Sequence, residues 1–164
     1  VPGIENAVWA PVYTDDAGDA RLAIIGAGAV GLECAIELAR AGRSVTVWEM
    51  AATHSLGADM SPLGGGDDIL KMCADAGVVI NYNARLAAID GDTATFAGTG
   101  ENAAAVTLKN VRVLLAAGMT PLTALAQTFR AAAPNTEVYL AGDCREVGDI
   151  RDATRGAFEI CRQI

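Results

Sequence analysis

The run from Leu22 to Glu49 constrains this chain more than any other stretch. It reads LAIIGAGAVGLECAIELARAGRSVTVWE. An apolar strand leads into G-x-G-x-x-G, then an amphipathic helix, a second apolar strand and a terminal acid. Gly26, Gly28 and Gly31 take the three glycine positions. The first permits a tight turn from strand to helix. The second leaves the backbone open to a pyrophosphate, and the third lets the helix lie close on the strand. A pyrophosphate there faces unpaired N–H groups and the positive end of the helix dipole, which makes Gly26, Ala27, Gly28, Ala29, Val30 and Gly31 the expected cofactor-binding positions of the loop. Glu49 lies 23 residues beyond Gly26, with Met50 beside it. A carboxylate at that place can accept hydrogen bonds from an adenosine ribose. A bare glycine triplet is weak evidence. The ordered set of strand, triplet, helix, strand and acid points to a dinucleotide site, against the alternative of a glycine-rich turn that binds nothing.

Composition narrows the classes. A chain of 164 residues that is 52% apolar is one domain, or one domain with a piece of another. No apolar run approaches the roughly 18 residues of a membrane span. The formal charge of -8 argues against nucleic acid and against an anionic membrane as partners. It does not oppose a dinucleotide held by backbone amides. The first strand is preceded by TDDAGDAR rather than a basic segment, so no secretion signal is expected. Cys34, Cys73, Cys144 and Cys161 form no C-x-x-C pair and read as small core residues, with Cys34 on the buried side of the first helix. Free thiols suit a reducing cytoplasm. The absence of an initiator methionine at Val1 suggests an excised fragment.

Residues Val1 to Ala20 read as a linker or arm. Strands are expected at Leu22–Ile25, Val45–Trp48 and Val78–Asn81. Helices are expected at about Ala29–Ala41, with an apolar face of Val30, Cys34, Ile36, Leu38 and Ala39, and at about Asp67–Ala76. Ala51 to Gly66 reads as a loop with a glycine cluster at its end. Arg85–Asp90, Thr93–Phe96 and Ala104–Lys109 suggest an antiparallel meander, with a hairpin connection at Gly98 to Asn102. Val111–Ala117, apolar except for Arg112, reads as a buried parallel strand. Thr120 and Pro121 predict a helix start, with the helix reaching about Ala132. A buried strand at Val138–Ala141 and a last helix opening at Asp149 complete the pattern. The fold expected is α/β, a Rossmann-like three-layer domain with a central parallel sheet and a small antiparallel β-meander.

Three more segments carry a family resemblance. LLAAGMTP, Leu114 to Pro121, looks like the strand and turn that bear an A-x-G motif in FAD/NAD oxidoreductases. VYLAGDC, Val138 to Cys144, resembles their late G-D motif, and the helix from Asp152 to Ile164 is similar to the one that follows it. The opening VPGIENA resembles the linker out of a first FAD segment. Together these resemble the pyridine nucleotide-disulfide oxidoreductase superfamily, in particular the C-terminal part of NADH:flavin oxidoreductases of the 2-enoate reductase and 2,4-dienoyl-CoA reductase type.

That resemblance implies an FAD domain split by an inserted NAD(P)H domain. Residues 1–20 would be the arm, 21–131 the NAD(H)-binding domain, and 132–164 the returning segment of the FAD domain. Ala117, Gly118, Gly142 and Asp143 would join the glycine loop as cofactor-binding positions. Asp143 matches the aspartate that bonds the ribityl–phosphate portion of FAD, the other reading being a helix or turn cap. Glu33 matches an acidic position near the nicotinamide, against a plain surface carboxylate. The family's FMN-binding barrel, iron–sulfur cysteines, first FAD glycine motif and redox cysteine pair have no counterpart in this sequence. Independent catalysis is therefore not expected; the partners implied are a dinucleotide and the FAD and FMN domains of a longer parent.

Met50, Ala51, Ala52 and Thr53 offer no arginine for a 2′-phosphate, so NADH is expected over NADPH. Arg43 lies at the wrong end of its strand to change this. His54, the single histidine, reads as an exposed loop residue rather than a general base. The leading function is an NADH-binding module of a flavin-dependent oxidoreductase, with no catalytic side chain of its own. A miniature domain that binds FAD directly, and a non-catalytic nucleotide-binding domain, stay open beside it.

Overall fold

A computed structural model describes residues 1–54, 65–99 and 104–164. The chain forms two compact units, Val1–Gly118 and Met119–Ile164. Among the described residues no helix is long and apolar enough to cross a membrane.

The first unit is built on a five-stranded parallel sheet. Its strands are β1 (Val8–Trp9), β2 (Arg21–Ile25), β3 (Val45–Trp48), β4 (Val79–Asn81) and β8 (Val111–Leu115). Their order is β1-β8-β2-β3-β4. Parallel neighbours need crossovers. Helix α1 (Ala29–Arg40) joins β2 to β3, and α2 (Gly65–Asp75) lies between β3 and β4. Between β4 and β8 the chain forms the antiparallel sheet of β5 (Ala84–Asp90), β6 (Thr93–Gly98) and β7 (Val106–Leu108). The parts of the expected loop at 55–64 and of the hairpin connection at 100–103 lie outside the described residues.

The parallel sheet is covered on both faces, which explains its near-continuous apolar strands. On one face Leu22, Ile24, Val45, Val47 and Leu114 pack with Leu32, Ala35 and Ile36 of α1 and with Ile69 and Cys73 of α2. On the other, Ala23, Trp48, Val111 and Val113 meet Leu86, Ile89, Ala94 and Phe96 of the meander. Trp48 and Phe96 stack with ring centroids 3.8 Å apart. Helix layer, parallel sheet and meander are the three layers expected.

Several boundaries and faces differ from the sequence reading. The arm is more than a linker, because β1 pairs in parallel with β8 at Val8↔Leu114 and Trp9↔Leu115. Pro2 also accepts the Ile89 N–H at 2.9 Å, tying the arm to the meander. Helix α1 turns Gly31, Leu32, Ala35 and Ile36 inward, while Val30 is 49% exposed. Its rotation follows from the close seating of Gly31 described below. Of the four cysteines expected in the core, Cys73 is buried, Cys34 and Cys144 are half-buried and Cys161 is exposed; all four are free thiols.

In the second unit, α3 (Ala124–Ala132) starts after Thr123, three residues beyond the expected Pro121. The expected strand Val138–Ala141 is not formed. Residues there run without a ladder, because a strand exists only where a neighbour supplies hydrogen bonds. Arg130 Nη2 instead donates to the Val138 carbonyl at 3.0 Å. Helix α4 (Ile150–Cys161) begins on a capping box: the Asp149 side chain accepts from the Asp152 N–H, and the Asp152 side chain accepts from the Asp149 N–H.

Candidate functional site

The carboxyl ends of β2, β3 and β8 converge on the glycine loop. The three glycines answer to different demands. Gly26 has φ 108°, and a Cβ there would lie 2.5 Å from the Ala116 carbonyl oxygen just past β8. A Cβ on Gly31 would collide with the carbonyl oxygen of Gly26 and press on the Ala116 methyl at 3.2 Å. These two glycines are required by the protein's own packing. Gly28 is not: it has φ -83° and ψ 177°, open to any residue, and a Cβ there meets nothing within 4 Å. Space is left at that position and nowhere else in the triplet.

Gly28 is also the N-cap of α1, and among the described residues no side chain caps the helix. The first N–H groups of a helix have no intrahelical acceptor. With no acidic residue in the first turn, this end keeps its donors and its positive dipole for an anion.

Glu49 follows the last residue of β3. It is 7% exposed, so it is not the solvated strand-end acid that sequence alone allows. Its Oε2 accepts the Ala27 N–H at 2.8 Å and its Oε1 accepts the Ala51 N–H at 2.8 Å. The carboxylate thus ties the glycine loop to the turn after β3. Two backbone donors leave about half of its four or so acceptor sites unused. The main chain of Met50 and Ala51 is held in turn: the Thr99 hydroxyl donates to the Met50 carbonyl and the Asn83 N–H to the Ala51 carbonyl. The Met50 side chain is exposed.

The other expected positions divide. Ala27 is fully buried, Ala29 is half-buried, and Val30, Ala117 and Gly118 are exposed. Ala116, the alanine of the A-x-G motif but not one of the expected cofactor-binding positions, is the residue that a Cβ on Gly26 or on Gly31 would meet. Glu33 is exposed on α1, with no ion pair among the described residues. Gly142 and Asp143 belong to the second unit. There Gly142 has φ 61° and would put a Cβ 3.3 Å from Ala153 Cβ, and Asp143 Oδ1 accepts the Gly148 N–H at 3.2 Å. Local structure accounts for both. His54 is half-buried rather than exposed, and its Nδ1 has no hydrogen-bond partner among the described residues.

Two tyrosines flank opposite ends of the sheet. Tyr82 follows β4 at the carboxyl end; burial, then Cys73 and Glu49, raise its phenol above the ordinary value of 10.0. At the other end Tyr13 donates to Asp15 at 3.0 Å, and Arg43 pairs with the same carboxylate at 2.7 Å. Arg43 also donates to the Ala20 carbonyl. It therefore clamps the arm to the turn after α1, far along the strands from the loop.

The sheet order, the glycine loop and the buried strand-end acid define a Rossmann-like domain. The chain matches the pyridine nucleotide-disulphide oxidoreductase family over residues 6–157. It belongs to that family, whose members are oxidoreductases using NAD(P) and FAD. It is 29% identical over 142 residues to the nitric oxide reductase FlRd-NAD(+) reductase of Salmonella schwarzengrund (strain CVM19633), covering 77% of this chain and 36% of the relative. Histamine dehydrogenase from Rhizobium sp. 4-9 is similar in structure, with TM-score 0.76 and 20% identity over 96% of this chain and 26% of that one. The 2-naphthoyl-CoA reductase–2-naphthoyl-CoA complex is similar with TM-score 0.71 and 23% identity, over 90% of this chain and 21% of that one. At these identities the two structures attest the fold. The chain spans about a third of its curated relative and 21% and 26% of these two structures.

Proposed function

We propose that this chain is the NADH-binding module of a longer flavin-dependent oxidoreductase, with a parent of the 2-enoate reductase type. The observation that carries the reading is Gly28. Packing explains Gly26 and Gly31 but leaves Gly28 without a reason inside the protein. A pyrophosphate lying against the start of α1 supplies that reason.

The residues present fit the dinucleotide. Backbone N–H groups from Gly28 to Gly31 would hold the pyrophosphate, and the free acceptor sites of Glu49 would take the adenosine ribose. The bound nicotinamide supplies a hydride for a flavin. This chain's part is to bind and orient, and no side chain needs to act as acid or base. The two backbone bonds pin Glu49, so its charge cannot swing away from a 2′-phosphate, and Met50 to Thr53 bring no cation. That supports NADH over NADPH, as does the NAD(+) in the name of the Salmonella relative. The four free thiols support a reducing, cytoplasmic setting. In residues 132–164, Gly142 and Asp143 would serve the parent's FAD, and the exposed Ile150 and Phe158 support the role of this stretch as one segment of a larger FAD domain.

Calorimetric titration of the chain with NADH and NADPH tests this. NADH binds at least about tenfold tighter, a difference of about 1.4 kcal/mol, and Glu49→Gln narrows the gap. Equal affinities overturn the assignment. The purified chain is colourless; stoichiometric bound flavin would favour direct FAD binding instead.

A further inference from the structure

We propose that Tyr82 is a ligand-binding residue of the nucleotide site, its phenol lining the adenosine half beside Glu49. Strands β3 and β4 run parallel with Trp48 opposite Asn81, so Glu49 and Tyr82 are the next residues along on two neighbouring strand ends. The Glu49 N–H donates to the Asn81 carbonyl at 2.8 Å and the Ala84 N–H donates to the Glu49 carbonyl at 2.9 Å. Tyr82 is therefore held between two backbone bonds to the same residue. Side chains alternate along a strand. Ile80 and Tyr82 both pack on the helix-side core. Glu49 reaches the glycine loop at that same side of the sheet.

The phenol is also unspent. The other two tyrosine hydroxyls are bonded, Tyr13 to Asp15 and Tyr139 to Glu137. That of Tyr82 has no hydrogen-bond partner among the described residues, and the side chain is only partly buried. Tyrosine offers an aromatic face for a purine or ribose and a hydroxyl that both donates and accepts. A phenol at its ordinary value of 10.0 is protonated at neutral pH, and burial with the neighbouring Cys73 and Glu49 raises that value further. In open α/β sheets ligands occupy the crevice outside the carboxyl ends of the strands. A ribose on Glu49 would bring its base or its second hydroxyl against the next strand end, which is Tyr82.

This role depends on the dinucleotide reading proposed above. The test titrates the full chain, Tyr82→Phe and Tyr82→Ala with NADH and with ADP-ribose, alongside thermal unfolding. Tyr82→Ala loses about tenfold with both ligands, because both carry the adenosine. Tyr82→Phe loses less, and it lacks the near-ultraviolet tyrosine difference signal that ADP-ribose produces in the unmodified chain. Unchanged affinities in a folded Tyr82→Ala overturn the proposal, as does a loss confined to NADH, which would place the residue at the nicotinamide end. If Tyr82→Ala fails to fold, Tyr82→Leu keeps the apolar bulk and carries the same comparison. An unmodified chain that binds neither ligand overturns the functional reading and this one with it; binding that all variants share overturns this one alone.

Discussion

The two units handle apolar side chains in opposite ways. In Val1–Gly118 the strands are sealed on both faces, and the large residues Phe96, Leu22, Ile24, Leu32, Leu114 and Val47 are fully buried. In Met119–Ile164 Ala126 alone is buried among the described residues, while Leu122, Leu125, Phe129, Ile150 and Phe158 are exposed. Both units have helices with an apolar stripe. Only the first has a sheet to receive it. The contrast separates order that is built locally from order that needs a partner: α4 forms on its own cap, whereas Val138–Ala141 cannot be a strand alone.

The largest expected effect comes from cutting one aromatic ring in each unit. Phe96→Ala removes the partner of Trp48 in a closed core and should cost about 3–5 kcal/mol. Phe158→Ala, at a site 61% exposed, should shift stability by about 0.5 kcal/mol or less. Urea unfolding followed by tryptophan fluorescence for the first ring, and by helicity for the second, measures both. Comparable costs would mean that the second unit has a core of its own, and the contrast would fail.

A smaller contrast lies inside the glycine loop. Gly31→Ala drives a methyl into the Gly26 carbonyl and should destabilise the first unit by about 1–3 kcal/mol. The Cβ of Gly28→Val meets nothing within 4 Å, so the substitution should change stability by less than about 1 kcal/mol, the scale of an altered N-cap. It should nevertheless abolish NADH binding, because the branched side chain fills the open space. Thermal unfolding and an NADH titration on both variants decide the matter. A Gly28→Val chain that binds normally would reduce the whole triplet to packing.

These contrasts also mark what could be read in advance. The glycine loop, the flanking strands, the meander and the Asp149 cap were legible because each signal is local: a turn chemistry, a period of two, a cap three residues from its partner. The rotation of α1 was not, since Val30 and Cys34 carry apolar character while the contact of Gly31 with Gly26 and Ala116 sets the face. The arm's β1 was too short to show a period, and its pairing with β8 joins residues about a hundred positions apart. At the site, Glu49 was legible by position. Its two bonds to Ala27 and Ala51 were not, because they depend on loop closure in three dimensions. Tyr82 carried no motif, and only the register of β3 and β4 brings it beside Glu49.

The smallest expected effect is a response to acid at α4. The N–H of Asp152 and the Arg151 side chain hold the Asp149 carboxyl below its ordinary value of 3.8. A carboxyl whose folded value is depressed stabilises the structure above its unfolded value and ceases to do so as pH falls through the folded one. The first turn of α4 should therefore stay intact down to about pH 3.8 and fray below it. The α1 start, which has no side-chain cap among the described residues, lacks that particular switch. The Asp152 amide reports the event directly, since its N–H donates to Asp149 Oδ1 at 2.9 Å. Its hydrogen exchange should accelerate at acid pH relative to amides at mid-helix, and Asp149→Ala should remove the pH dependence by fraying that turn at neutral pH as well. An Asp152 amide that exchanges alike in both chains would show that the capping box does not hold the helix, leaving α4 to depend, like the missing strand, on a partner.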